Sequence, residues 1–335
     1  MLLFISSNSV IFARVLFKHS VRNIVKKIIA VILAIACLIY LSACYLVVQP
    51  CQFDAIAKIV AENLCDEDSM SFRPPVEAHE VFVAYTGDRY YQMGDITVDI
   101  SHVSNGYVKV RHKSYETRAI ARITKPDAEF YYVFALTMRG EWDTFLLTHG
   151  DGEYSIKIFE NVRDGLFALA FDLQFVVTFC DPFVPFLHPS QHVNFDSDSL
   201  AVIVAGELAE GAESELDVIR NIYRYVINNI EYDFDLARQI SDGYISSHIP
   251  DVDRTLKTGF GICFDFASLM TAMLRSQHIP ARLEVGIVNN ELKHAWVSVY
   301  INGFGWHRVD PTFSATAGNS FIANKPHTYL LMFTY

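Results

Sequence analysis

The sequence is poor in basic residues. It contains 27 Lys and Arg against 38 Asp and Glu, which gives a formal net charge of −11 at pH 7. A nucleic-acid-binding domain needs a basic patch that contacts the phosphate backbone, and the basic cluster in this sequence lies before residue 28. We therefore expect no nucleic-acid partner. Nothing in the sequence repeats, and no segment is of low complexity.

Metal and cofactor motifs are also missing. There is no Cys-x-x-Cys pair and no His-Glu-x-x-His. His188 and His192 lie four residues apart, but Pro189 between them argues against the helix that would bring both side chains to one face. The D-x-D segments 233–235 and 251–253 are a weak calcium signal and are typical of solvated loops. We expect neither a cofactor nor a metal ion.

The N-terminal residues 1–48 predict a leader for export or a membrane anchor. The first 27 residues carry five basic residues and no acidic one, and residues 28–48 carry no charge. This order favours export with the N-terminus staying inside. Residues 41–44 resemble the lipobox of bacterial lipoproteins, in which Cys44 would be lipidated. An uncleaved transmembrane anchor remains open, because 21 apolar residues can span a bilayer. Both alternatives place the rest on the extracytoplasmic face of the cell membrane.

Six cysteines are few for 335 residues, and they form no obvious framework. Cys37 lies in the apolar run. Cys51 and Cys65 are close enough in sequence for a local disulfide, which an exported chain permits without requiring it. Cys263 is different, because a histidine and an aspartate follow it in an order typical of thiol enzymes.

A change in the spacing of apolar residues divides the rest of the chain. Residues 49–79 predict a tether, since acidic residues, serines and a Pro-Pro pair interrupt any pattern. Residues 80–180 alternate apolar with polar positions between turn signals, which predicts an antiparallel β-sandwich. The proline-rich segment 181–198 predicts a linker. Residues 199–335 return to the helical period and then add strands, so the fold class is α+β.

Two segments show these periods clearly. In FALAFDLQFVV the apolar residues fall at every second position and are predicted to share one face of a strand: Phe167, Leu169, Phe171, Leu173, Phe175 and Val177. Farther along, two helices are predicted on either side of Gly211. The second helix begins with a capping box formed by Ser214 and Asp217.

Cys263 is predicted to open an amphipathic helix after a Gly-Phe-Gly turn. One apolar stripe follows it, formed by Phe266, Leu269, Met270, Met273 and Leu274. A helix N-terminus favours an anion, so a thiol there, beside an imidazole, is expected to ionise easily. The same N–H groups suit the oxyanion of a tetrahedral intermediate. An inert core cysteine is the competing interpretation.

The two strands that carry His294 and Asp310 provide a geometric test. A two-residue turn at 302–303 would send the two side chains to opposite faces of the hairpin. A three-residue loop over 301–303, built as a type I turn with a glycine bulge, sets His294 directly opposite Asp310. If the imidazole and the carboxylate meet, the loop must contain an odd number of residues.

Four blocks of this region, in order and with matching gaps, resemble the bacterial transglutaminase-like superfamily of papain-like thiol proteins. They are G-x-C-x-D-F-A at 261–267, I-P-A-R at 279–282, H-A-W at 294–296 and W-x-x-V-D-P-T at 306–312. The resemblance covers the last third of the chain. It implies an α+β domain with the cysteine at a helix N-terminus packed on an antiparallel sheet, and with the lipobox it implies a transglutaminase-domain lipoprotein.

The resemblance also assigns roles. It implies that Cys263 is the nucleophile, His294 the base and Asp310 the group that orients the base. Tyr232, in N-I-E-Y-D, matches a family tyrosine near the thiol, and we expect it to serve packing. His278 departs from the family, which usually has glycine at the end of this helix.

Two functions follow as hypotheses. The first is an enzyme that attacks amide bonds of proteins or peptides through a thioester, which water or an amine then resolves. The triad is the same for a peptidase or amidase and for a cross-linking transferase. The alternative is a non-catalytic adhesion or scaffold protein with a degenerate domain. In both cases the β-sandwich is a candidate for cell-wall binding. The presence of all three triad residues favours the enzyme.

Overall fold

The computed structural model describes most of the chain after the N-terminal region. The described residues are 87–114, 116–128, 131–136, 140–163, 165–245, 247–316 and 327–335. The predicted leader with Cys44, the predicted tether and the Cys51–Cys65 pair lie outside these residues. Within the described part of the chain, no helix is both long and apolar enough to cross a membrane.

The first eight strands of the described chain are β1 (Tyr90–Met93), β2 (Ile96–Asp99), β3 (Tyr107–His112), β4 (Ala119–Thr124), β5 (Tyr132–Ala135), β6 (Trp142–Leu146), β7 (Gly152–Arg163) and β8 (Leu166–Val177). They form two four-stranded antiparallel sheets with the orders β1-β2-β3-β6 and β5-β4-β7-β8. The inner faces of both sheets share one hydrophobic core, which is the architecture of a sandwich.

Strand β8 corrects one part of the predicted alternation. Phe171, Phe175 and Val177 are buried as expected, but Leu169 is 53% exposed. The pairing of β7 with β8 shifts between Ile158 and Phe159. A bulge of this kind leaves one residue of the strand unpaired, and the residues beyond it then point to the opposite face of the sheet from the one that strict alternation predicts. The expectation for Leu169 was therefore wrong, because strict alternation presumes an unbroken ladder.

The second half of the described chain combines six helices with six strands. The helices are α1 (Leu200–Ala209), α2 (Glu215–Asn229), α3 (Phe234–Ser241), α4 (Val252–Thr258), α5 (Cys263–Ser276) and α6 (Pro311–Thr316). The strands are β9 (Glu231–Tyr232), β10 (Phe260–Gly261), β11 (Ala281–Val288), β12 (Leu292–Ile301), β13 (Gly305–Val309) and β14 (Tyr329–Thr334). Strands β9 and β10 form a short parallel pair, and β13-β12-β11-β14 form an antiparallel sheet.

The two helices predicted around Gly211 are present as α1 and α2. Gly211 has φ of +74°, a left-handed backbone conformation that glycine adopts without steric cost. The hydroxyl of Ser214 accepts from the N–H of Asp217 at 3.2 Å and donates to its carboxylate at 2.7 Å. The N-cap role predicted for Ser214 is confirmed, and the second bond joins the two side chains.

Helix α5 lies at the centre of the second half of the described chain. Every residue from Asp265 to Ser276 is buried, and the helix packs against β11 and β12. Near its C-terminal end, the buried guanidinium of Arg275 donates to the carbonyls of Ala281 at 2.9 Å, His188 at 2.8 Å and Tyr335 at 2.7 Å. One side chain therefore joins the helix, the 181–198 segment and the end of β14. Because each acceptor is backbone, Arg275 satisfies buried polar groups.

Candidate active site

Cys263 is the first residue of α5, as the sequence predicted. Ile262 precedes it as the extended N-cap residue, and the thiol is free and half-buried. The approach to the helix is held by the parallel pair β9–β10, in which Gly261 lies opposite Tyr232. A Cβ at Gly261 would lie 2.6 Å from Cβ of Asp265. Glycine is therefore required where the chain enters the helix.

Asp265 fixes the start of the helix, two residues after the thiol. Its Oδ2 accepts from the N–H of Ile262 at 2.9 Å, and its Oδ1 lies 2.7 Å from Nε2 of His248. Both side chains are largely buried. The first bond is half of a capping box, and the second ties the loop before α4 to the same carboxylate. No local sequence pattern connects His248 to Asp265, which lies 17 residues later, so this contact was not predicted.

His294 and Asp310 form a buried pair. Nε2 of His294 lies 2.8 Å from Oδ2 of Asp310, and the two residues are 4% and 1% exposed. Asp310 receives two further hydrogen bonds, from the backbone N–H of Phe313 to Oδ1 at 3.0 Å and from the hydroxyl of Tyr329 to Oδ2 at 2.9 Å. The carboxylate is thus fully supplied with donors, as a buried charge requires.

The surroundings favour the protonated form of His294. Burial lowers the pKa of His294, but hydrogen bonds and charges from Asp310 and Cys263 outweigh it and raise the pKa to about 9. Because Nε2 faces Asp310, the ring nitrogen left for the thiol is Nδ1. An imidazole held between a carboxylate and a thiol is the arrangement in which a base can activate a thiol nucleophile.

Two aromatic rings lie against the imidazole of His294, those of Phe313 and of Trp296, and the Trp296 centroid is 6.4 Å away. The ring of His294 stacks on that of Phe313, with centroids 4.2 Å apart and planes 8° from parallel. On the same strand, Nε1 of buried Trp296 donates to Oε2 of Glu284 at 2.6 Å, and the Ser298 hydroxyl donates to the same oxygen at 2.7 Å. Strand β12 is therefore tied to β11 by side-chain hydrogen bonds beside the imidazole.

The hairpin between β12 and β13 differs from the expected one in register. Ile301 pairs with Gly305, so the loop is 302–304. It has three residues, an odd number as expected, but it begins one residue later than predicted. Gly303 has φ of +81°, which a type II turn requires and a type I turn excludes. His294 and Asp310 are consequently diagonal neighbours on one face, and the expectation that they lie directly opposite was wrong.

Tyr232 lies near the thiol. Burial raises the pKa of its hydroxyl to about 12, with smaller electrostatic contributions from Cys263, Asp265 and Asp233. The hydroxyl is therefore protonated at neutral pH. Its ring packs against that of Phe234, with centroids 4.9 Å apart, in line with the expected packing role.

The weak metal candidates have structural roles. The side chain of Asp233 accepts from the N–H of Leu236 at 2.8 Å, and that of Asp251 accepts from the N–H of Arg254 at 2.9 Å. They cap helices α3 and α4. Among the residues that the structure describes, no group of three or more His, Cys, Asp or Glu side chains could hold a metal ion.

Comparison with known families identifies this region. Residues 203–311 match the model of the transglutaminase-like superfamily. They form a transglutaminase-like domain. The resemblance inferred from the four sequence blocks is confirmed, and the fold is one on which thiol enzymes of this class are built. The catalytic roles of Cys263, His294 and Asp310 stay predictions, and the matched range ends before β14.

Individual relatives cover this domain more narrowly. The chain is 38% identical over 91 residues to UPF0252 protein MJ1282 of Methanocaldococcus jannaschii, spanning 25% of this chain and 26% of that protein. It is 28% identical over 123 residues to the kyphoscoliosis peptidase of Mus musculus, spanning 33% of this chain and 18% of that protein. The chain thus covers about a quarter or less of the length of these relatives.

One solved structure aligns with a larger share of the chain. It is the periplasmic domain of TgpA from Pseudomonas aeruginosa, with 15% identity and a TM-score of 0.31, covering 70% of this chain and 76% of that one.

Proposed function

We propose that the transglutaminase-like domain is a thiol enzyme that cleaves or transfers amide bonds of proteins or peptides, with Cys263 as nucleophile and His294 as acid and base. Asp310 acts as the positioning residue of the imidazole. The observation that carries the proposal is the buried hydrogen bond between His294 and Asp310, on the same imidazole that interacts with Cys263. A degenerate domain has no need to keep this arrangement.

The geometry supports a two-step reaction. Sγ of Cys263 attacks the amide carbonyl, and the N–H groups in the first turn of α5 stabilise the oxyanion. His294 gives its proton to the departing amine as the C–N bond breaks, which leaves a thioester on Cys263. A water molecule or a primary amine then attacks the thioester carbonyl and loses a proton to His294. The C–S bond breaks, which releases the acyl product and regenerates Cys263. The first acceptor gives hydrolysis and the second gives cross-linking.

One experiment separates the two outcomes and tests the enzyme itself. Purified protein is incubated with a peptide library and a labelled primary amine, and the products are measured by mass spectrometry. Label on glutamine-type side chains means transfer, and shorter peptides mean hydrolysis. Cys263→Ala should abolish both, whereas Cys180→Ala, which removes an exposed free thiol elsewhere, should leave them unchanged. If the unaltered protein yields neither product, the proposal fails.

We also propose that the chain is exported and held on the extracytoplasmic face of the cell membrane through lipidated Cys44. The support is the basic flank followed by an uncharged run and the lipobox-like residues 41–44. Metabolic labelling with a fatty-acid analogue should mark the protein, and Cys44→Ala should abolish the label. Label that persists in this variant would contradict lipidation, and an uncleaved membrane-bound chain would indicate the transmembrane anchor.

A further inference from the structure

Tyr329 reaches the candidate active site from outside the region that matches the family. It is the first residue of β14, where it pairs with Val288 of β11, and the family match ends at residue 311. Its hydroxyl lies 2.9 Å from Oδ2 of Asp310. That oxygen is also the one bonded to Nε2 of His294, at 2.8 Å. The two donors therefore share one acceptor atom.

Sharing an acceptor has an electrostatic consequence. The Tyr329 hydroxyl stabilises part of the negative charge on Oδ2 of Asp310, and a hydrogen bond that stabilises a carboxylate weakens its attraction for a neighbouring cation. The Asp310 carboxylate is the group that holds the proton on His294. A donor on Oδ2 therefore favours release of that proton, which a general acid must give up in each turnover.

The ring of Tyr329 is fixed from two sides. It packs edge-on against Trp296, with centroids 4.8 Å apart, and the guanidinium of Arg308 lies 3.8 Å from its ring centroid. Burial and then the charge of Asp310 raise the pKa of the Tyr329 hydroxyl well above its usual range. The hydroxyl thus remains protonated and serves as a permanent donor.

We propose that Tyr329 is a positioning residue of this site: its hydroxyl orients the Asp310 carboxylate and limits the charge that Asp310 presents to His294. The proposal rests on the proposed function for its catalytic consequence, but the effect on His294 is a property of the folded protein. The other titratable or charged groups around His294, Asp310 and Tyr329 are Cys263 of α5, Tyr223 of α2, Arg308 of β13 and His327, whose ring lies edge-on to that of Tyr329.

The test removes the hydroxyl and keeps the ring. Tyr329→Phe retains the packing against Trp296 and Arg308, so a merely structural role of the ring is preserved. The first readout is the titration of the His294 ring followed by NMR. We expect the pKa of His294 to rise in the variant by roughly half a unit, because the freed carboxylate attracts the imidazolium more strongly. An unchanged titration would overturn the proposal.

A control and a second variant sharpen this result. Tyr154→Phe removes a buried hydroxyl that bonds to Gly150 and His149 in the sandwich, and it should leave the titration unchanged. In an Asp310→Asn background, Tyr329→Phe should add no further upward shift, since the shared acceptor charge is gone. An equal shift in both backgrounds would show that Tyr329 acts independently of Asp310 and would reject the proposal.

Kinetics provide the second readout. In Tyr329→Phe the basic limb of the pH profile of kcat/KM should move to higher pH, following the titration of His294. At the same time kcat should fall about threefold while KM changes little, because the imidazolium becomes a weaker acid. A change confined to KM would contradict the assignment. If the unaltered protein has no activity, the proposed function fails, whereas the NMR titration still decides the role of Tyr329.

Discussion

Nε2 of His294 lies 2.8 Å from Oδ2 of Asp310 although the two residues do not face each other across the hairpin. Strand β12 pairs Val297 with Val309 of β13, so the two side chains meet diagonally on one face. Diagonal neighbours in a sheet remain within reach of long side chains. The odd number of loop residues places both side chains on the same face of the hairpin. The His294–Asp310 contact therefore does not require the two residues to be paired directly across the strands.

Asp310→Asn should disable the site without unfolding it. The amide keeps the shape of the carboxylate but loses its charge, so the pKa of His294 should fall as burial prevails. We expect kcat/KM to drop roughly 10³–10⁴-fold, the loss typical of such a change in a triad. Steady-state kinetics with a peptide substrate and NMR titration of the imidazole measure both effects. Asp172→Asn, at an ion pair with Lys157 on the sandwich, is the matched control and should retain activity.

The raised pKa of His294 predicts how stability depends on pH. The folded value of about 9 lies above the ordinary 6.5, so folding favours the protonated imidazole. The contribution of this protonation to stability is fully present below the ordinary pKa of 6.5 and is lost as the pH rises through about 9. The free energy of unfolding, from urea denaturation, should fall by up to about 3 kcal/mol over that window. His294→Gln should show a flatter profile, and equal slopes in the two proteins would refute the linkage.

His278→Gly should stabilise the protein. His278 follows the C-cap residue of helix α5 and has φ of +56°, a left-handed conformation that costs a non-glycine residue about 1 kcal/mol. Glycine, the usual family residue here, relieves that strain, so Tm should rise by a few degrees. Asn290 also has positive φ, at 61°, but asparagine tolerates it better. A gain for Asn290→Gly as large as that for His278→Gly would argue against strain at the helix end.

Gly261→Ala should damage the entry to α5. The added Cβ would meet Cβ of Asp265 at 2.6 Å, which forces a shift of the carboxylate that caps the helix. We expect a loss of roughly 1–3 kcal/mol in the free energy of unfolding, together with lower activity because Cys263 moves with the turn. Gly206→Ala is the control, since its Cβ would meet nothing within 4 Å in α1. It should raise stability by about 1 kcal/mol.

The sequence predicted those structural features that are determined by residues close together in the chain. The Ser214 cap and the position of Cys263 at a helix start follow from residues within one or two turns. The outward facing of Leu169 depends on a bulge that alternation does not reveal. The hairpin register depended on the turn type, which the Asn-Gly pair left open.

The contributions of His248 and Tyr329 lay beyond sequence reasoning for a different reason. Each comes from a segment without a motif of its own, and each reaches a motif carboxylate only through the tertiary fold. His248 bonds to Asp265, and Tyr329 bonds to Asp310. Periodicity and spacing describe single elements, so contacts between distant segments had no signal in the sequence.

The central claim is that Cys263 is an activated nucleophile paired with His294, and competitive alkylation tests it most directly. Both thiols are free, but Cys180 is exposed and Cys263 is partly buried. Accessibility alone would therefore favour modification of Cys180. We predict that iodoacetamide, supplied in limiting amount at about pH 6.5, modifies Cys263 first, because an ordinary thiol is mostly protonated there. His294→Ala should remove this preference. Faster modification of Cys180 in the unaltered protein, or a preference that survives His294→Ala, would contradict the account.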